Sequence, residues 1–171
     1  QTFKVSSNGA ISFHVPYWDD DCGYAGGTSL PVNTPQTLGE GNIHTPTHDI
    51  DPRQSQTEFI GWEILGSEPN RVLAVVWVDV PMYSTSCNNL LATHMAVLYE
   101  TTNIIDIYIE NKPVCNSWNG GWAAMGIQND AGTEAVVPPG RNGFDSPWEA
   151  QNEAWRFTPT GTSIVDFSWL D

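Results

Sequence analysis

Residues 105–110 read Ile-Asp-Ile-Tyr-Ile-Glu. Apolar and polar side chains alternate there with period two. Only an extended strand puts Ile105, Ile107 and Ile109 on one face and Asp106, Tyr108 and Glu110 on the other. Such a strand cannot stand alone: it needs neighbours in a sheet and a second layer over its apolar face. Its nearest neighbour is upstream. Residues 93–99 (THMAVLY) precede Glu100-Thr101-Thr102-Asn103, and the three pieces together predict a hairpin.

The same chemistry recurs along the chain. Asn8-Gly9 is a tight-turn pair between two short apolar stretches within 3–15. Residues 57–65 predict a strand with Phe59 and Gly61 on one face. Residues 71–80 (RVLAVVWVDV) are nearly all apolar, which predicts a central strand covered on both faces, with Pro69-Asn70 as the turn between the two. A second hairpin is predicted for 122–128 and 133–137 across Asn129-Asp130-Ala131-Gly132. Pro138-Pro139-Gly140-Arg141-Asn142-Gly143 predicts a rigid loop, and 153–158 another strand. Pro159-Thr160-Gly161 breaks it before 163–170 alternate again. With 15 Gly and 12 Pro in 171 residues, and no sustained 3.6-residue apolar period, the prediction is an all-β antiparallel sandwich with long loops and little helix.

Charge narrows the partners. Six basic and 20 acidic residues give a formal net charge of −14. A phosphate backbone would be repelled, as would an anionic lipid surface, so nucleic-acid binding is not expected. No apolar run approaches the roughly 20 residues of a membrane helix, and direct membrane insertion is not expected. No signal peptide stands at Gln1, and the expectation is either that it has been removed or that the chain is a piece of something longer.

Cys22, Cys87 and Cys115 form no CxxC pair, and His14, His44, His48 and His94 lie at no zinc-finger spacing, which argues against structural zinc. In a chain poor in Lys and rich in Trp, three cysteines point to secretion and oxidising conditions, with one thiol left to pair outside these residues. The competing reading is three buried, reduced cysteines.

Three stretches are long, ordered and distinctive: HDIDP (48–52), VLYETTNIIDIYIENKPVCNSWNGG (97–121), and GIQNDAGTEAVVPPGRN followed by NEAWRFTP (126–142 and 152–159). Together they resemble a β-rich extracellular module of large Bacteroidota surface proteins, gliding-associated and exported by type IX secretion. SNGAISF and VLYETTNIIDIYIE also resemble, more weakly, the nidogen-type extracellular domain. The resemblance implies a cell-surface location, a jelly-roll or nidogen-like sandwich over 1–159 lacking upstream strands, and 160–171 as the first strand of a following immunoglobulin-like domain. It further implies that Cys87 pairs with Cys115, leaving Cys22 for an external partner. It implies no catalytic residues. The expected partners are neighbouring immunoglobulin-like repeats and, at a sheet edge left open by missing strands, a strand donor.

Candidate chemistry is of three kinds. Asp19, Asp20 and Asp21, with Asp49 and Asp51, form the candidate Ca²⁺ site, because Ca²⁺ takes six to eight oxygens from flexible acidic loops. A solvated acidic loop with Asp51 capping a Pro turn is the plainer alternative. Trp18, Trp118, Trp122 and Trp148 are candidate glycan-stacking rings, since flat apolar faces beside Asn and Asp suit sugars. The alternative is that they cap the core. A glycoside hydrolase would need two opposed carboxylates, and Glu63 with Asp79 on adjacent strands is the pair to test. There is no GxSxG, no HExxH and no ordered Ser-His-Asp set. Arg141 and Arg156 are expected to anchor carboxylates or loop carbonyls. The function expected is therefore a non-catalytic adhesion and structural module, with a carbohydrate-binding module as the alternative and an enzyme or accessory domain third.

Overall fold

A computed structural model describes residues 2–13, 29–32, 42–54, 58–143 and 147–160. The strands in chain order are β1 (Lys4–Val5), β2 (Ala10–Ser12), β3 (Asn42–Thr47), β4 (Phe59–Leu65), β5 (Val72–Pro81), β6 (Leu91–Tyr99), β7 (Ile105–Lys112), β8 (Ala123–Gln128), β9 (Ala135–Val136), β10 (Asn142–Gly143) and β11 (Ala150–Phe157). Two single 3-10 turns, Pro52–Gln54 and Asn119–Gly121, are the helical pieces among the described residues. One sheet runs β1-β2-β3-β8-β10, with β9 also on β8; the other runs β11-β7-β6-β5-β4. Every pairing is antiparallel. The all-β sandwich predicted from the sequence is the observed architecture.

The period-two run forms β7 as expected. Ile105, Ile107 and Ile109 enter the core beside Leu73, Val75 and Trp77 of β5 and Ala96 and Leu98 of β6, and Ile11, Ile43 and Met125 of the facing sheet close over them. Asp106 departs from the simple wet-face pattern. It is buried because Arg156 of β11 grips both its oxygens at 2.7 Å and the Tyr108 hydroxyl donates to it at 3.0 Å. Arg141 likewise holds Glu153, at 2.6 and 2.9 Å. Both arginines have the structural role expected of them.

β5 corrects the expectation of a strand covered on both faces. Leu73, Val75 and Trp77 are buried, while Val72, Ala74, Val76 and Val78 between them are only half-buried. Lateral neighbours, not a third layer, shield that outer face. The stretch predicted as a rigid loop ends in a strand: Asn142 and Gly143 pair with Ala124 and Ala123. Residues 160–171, expected to open a further domain, lie outside the described residues apart from Thr160.

The Asn8-Gly9 turn joins β1 to β2 as predicted, and tertiary structure gives it a second task. The Gly9 carbonyl accepts from Thr45 N at 3.0 Å, Thr45 Oγ1 at 2.8 Å and Thr47 Oγ1 at 3.0 Å. Asn8 receives His48 N on its carbonyl at 3.1 Å and Ile50 N on Oδ1 at 3.0 Å. Gly9 has φ +88°, and a Cβ there would lie 2.3 Å from the Pro46 carbonyl oxygen. Gly9→Ala is therefore expected to lower the unfolding free energy by at least about 2 kcal/mol in urea denaturation. A loss below about 0.5 kcal/mol would show that the turn is not tied to β3.

Candidate functional site

One corner of the sandwich gathers exposed aromatic rings, a carboxylate and hydroxyls. A short antiparallel bridge makes it: Ile50 pairs with Met82, Asp51 N donates to Pro81 O at 2.8 Å, and Tyr83 N donates to Asp49 O at 3.1 Å. That bridge sets Asp49 beside the turn after Cys115. Trp118 Nε1 donates to Asp49 Oδ2 at 2.6 Å, and Asn119 Nδ2 donates to the same oxygen at 3.0 Å. The Trp118 ring lies 5.4 Å from Tyr83, tilted by 39°. The Ser86 and Ser117 hydroxyls meet at 2.8 Å, and Ser84 meets Ser86 at 2.9 Å.

A disulfide holds the two loops of this corner together. Cys87 and Cys115 are bonded, with Cα atoms 5.9 Å apart. This is the pairing the resemblance implied. The sequence separation is 28, for which loop closure is worth roughly 3–4 kcal/mol on a chain-entropy estimate. Replacing both cysteines with serine is expected to lower stability by about 3 kcal/mol in chemical denaturation. Equal midpoints for the oxidised protein and the serine variant would overturn that role. Cys22 lies outside the described residues.

The expected glycan-stacking set divides. Trp118 is 38% exposed, whereas Trp122 is 2% and Trp148 6% exposed. Trp122 packs with Leu30, Val32 and Ala124. Trp148 donates to the Ala123 carbonyl at 3.0 Å, and Lys112 Nζ and Arg141 Cζ lie over its ring at 4.6 and 4.9 Å. Large rings sealed the core at these two positions, so neither offers a face to a ligand. Trp18 lies outside the described residues. Tyr83, which the sequence did not single out, is the second exposed ring of the corner.

The expected calcium ligands divide as well. Asp51 accepts from Arg53 N and Nε at 2.9 Å on Oδ1, and from Arg53 Nη2 at 3.1 Å and Gln54 Nε2 at 3.2 Å on Oδ2. These donors, Arg53 first, hold its carboxyl below the usual range. Burial pushes Asp49 up, against the hydrogen bonds from Trp118 and Asn119. Both carboxylates are thus engaged by protein donors. Among the described residues no group of three or more His, Cys, Asp or Glu is placed to hold a metal ion. Asp19, Asp20 and Asp21 lie outside the described residues. The glycosidase pair also separates. Glu63 stands opposite Ala74, five residues along β5 from Asp79, about 16 Å at strand rise.

No local pattern of residues signals the polar cluster found in the core. His44, His48 and His94 are all buried. His94 stacks on Trp77 at 4.9 Å, its Nδ1 meets Thr45 Oγ1 at 3.0 Å, and its ring centre is 6.0 Å from that of His48. Neither ring nitrogen of His48 has a hydrogen-bond partner among the described residues. Lys112 is buried with Nζ donating to the Trp148 carbonyl at 2.6 Å and the Pro113 carbonyl at 3.1 Å. Burial lowers its pKa to about 7. Burial also takes His44 and His94 down to about 3, helped at His94 by Lys112, and holds His48 well below its ordinary value.

All three imidazoles are therefore neutral in the fold and protonate near pH 6.5 once unfolded. Between about pH 6.5 and pH 3 the unfolded chain binds more protons. Stability should fall as pH drops through that window, by up to roughly 1.4 kcal/mol per pH unit per imidazole. His48→Phe removes one titrating group and two orphaned nitrogens, so the slope measured by urea denaturation between about pH 6.5 and pH 5, above the range in which carboxylates titrate, should fall by about a third. An unchanged slope would mean that His48 does not take part.

The family follows from the whole chain and not from the corner alone. The NIDO-related family model matches residues 1–167. The chain belongs to the NIDO-related family. No curated protein and no solved structure matches it significantly. Membership makes this a nidogen-related extracellular module, with a disulfide suited to that compartment. No helix among the described residues is long and apolar enough to cross a membrane.

Proposed function

We propose that this NIDO-related module is a non-catalytic adhesion and structural unit of a large bacterial surface protein, of the gliding-associated, type IX-secreted kind found in Bacteroidota. Neighbouring immunoglobulin-like repeats are its partners within the parent protein. The observation that carries this reading is the Cys87–Cys115 brace, which pins two surface loops to a sandwich. A fixed, loop-bearing face is what an adhesive unit needs, and the strong negative charge opposes collapse of crowded copies. Beads coated with the module should adhere to surfaces or cells more than beads coated with the reduced, alkylated protein. Equal adhesion of the two would remove the reading.

One observation favours carbohydrate binding as the second reading. Tyr83 and Trp118 present adjacent exposed rings beside Asp49, Asn119 and three serine hydroxyls, the mixture of apolar face and hydrogen-bonding groups that sugars match. Acidic glycans would be repelled by this chain, so a neutral saccharide is the ligand class. On a glycan array the wild type should bind neutral saccharides, and Tyr83→Ala should weaken binding by at least about tenfold without changing the melting midpoint. An array with no neutral hit would leave the adhesive reading alone. Calcium rests on Asp19, Asp20 and Asp21, and an unchanged melting midpoint in EGTA would remove it.

A further inference from the structure

The two edges of the five-stranded sheet are built differently. At one edge, β11 is polar, with Gln151, Asn152 and Arg156 exposed, and Asn152 at φ +52° interrupts its regular extension. Features of that kind discourage strand addition. At the other edge, β4 is regular for seven residues and apolar on both faces. Phe59 is 58% exposed, Trp62 58%, Ile64 47% and Leu65 48%. The register with β5 puts Ile60, Trp62 and Ile64 on the inner face, opposite Trp77, Val75 and Leu73. The facing sheet ends in β1 above them, where Phe3 meets Trp62 edge-on at 5.6 Å. A recess of about 360 Å³ lined by Thr2, Phe3, Val5 and Trp62 opens at this mouth. Long, regular, apolar edges of this kind are templates for another strand.

The sequence of β4 says which strand fits. Its seven residues are centred on Trp62. An antiparallel copy related by a twofold axis through Trp62 sets Phe59 against Leu65, Ile60 against Ile64, Gly61 against Glu63 and Trp62 against Trp62. All five apolar side chains of the strand then meet apolar partners. Glu63, the one charge in the strand, meets a glycine. Moving the axis to Glu63 opposes like charges directly, and moving it to Gly61 leaves two residues of the strand unpaired and sets Glu63 against Phe59. An axis perpendicular to the sheet also keeps both inner faces on one side, so the second Trp62 arrives beside the recess under Phe3.

We propose that β4 is a homotypic docking edge: a second copy of this chain adds its own β4 antiparallel about Trp62, joining the two five-stranded sheets into one. Backbone hydrogen bonds and apolar burial drive the contact, and the like charge of the two chains opposes it, so salt strengthens it.

Sedimentation of the whole chain over about 1 to 200 μM tests this directly. The expected result is a reversible monomer–dimer equilibrium, tighter at about 0.5 M than at about 0.15 M salt. Trp62→Lys and Ile64→Lys should each raise the dissociation constant by at least about tenfold. Both side chains are half exposed, so at concentrations where the wild type is monomeric the variants should keep its melting midpoint. Register is read by crosslinking in a Cys22→Ser background. Trp62→Cys should form an intermolecular disulfide under mild oxidation, because directly opposed residues lie within bridging distance. Leu65→Cys should not, because its copy lies six residues along the paired strand. A protein that is monomeric throughout the range would overturn the proposal and leave the edge to a strand of different sequence. So would a dimer insensitive to both lysine variants.

Discussion

Trp77 is the member on which the two layers depend. It is wholly buried in the middle of the longest strand, with its ring stacked on His94 and its Nε1 donating to the Ser6 carbonyl at 2.9 Å. That single hydrogen bond ties the five-stranded sheet to the β1–β2 turn of the other. The same turn supplies the Gly9 carbonyl to Thr45 and Thr47, and Thr45 reaches His94 in turn. A polar chain therefore threads an otherwise apolar interior from one layer to the other. Its geometry is directional where hydrophobic burial is not, so it fixes how the layers sit.

Burying polar groups has a cost that the rest of the molecule must offset. Three imidazoles and the Lys112 ammonium lie in the interior, and the orphaned nitrogens of His48 gain nothing from being there. The Cys87–Cys115 bridge offsets part of this by limiting the unfolded chain, and the bidentate Arg71–Glu100, Arg141–Glu153 and Arg156–Asp106 pairs fasten strand ends. The Asp49, Tyr83 and Trp118 corner sits on the disulfide itself. The Trp118 ring is held by its hydrogen bond to Asp49, and Tyr83 is anchored through its backbone N–H to the Asp49 carbonyl, which favours a preorganised binding face.

Much of the architecture was legible in the residues. Alternation at 105–110 and the turn chemistry at Asn8-Gly9, Glu100–Asn103 and Asn129–Gly132 specify strands and hairpins because backbone geometry couples period two to extended structure and positive φ to particular residues. What the alternation could not say was what lay over each face. The apolar run at 71–80 looked doubly covered, and yet one side is only half-buried. Trp122 and Trp148 looked like ligand platforms and are core, because nothing local distinguishes a ring that seals a sandwich from one that faces solvent.

Local sequence thus determined strand, turn and fold class, each a consequence of interactions spanning a few residues. The tertiary structure alone decided which polar groups went inside, which carboxylates were claimed by arginine, which rings stayed exposed and which sheet edge was left apolar. Those outcomes depend on contacts between segments far apart in the chain, such as Asp49 with Trp118 and Gly9 with Thr45. No periodicity encodes them, because the energy of each is set by what packs around it rather than by its neighbours along the backbone.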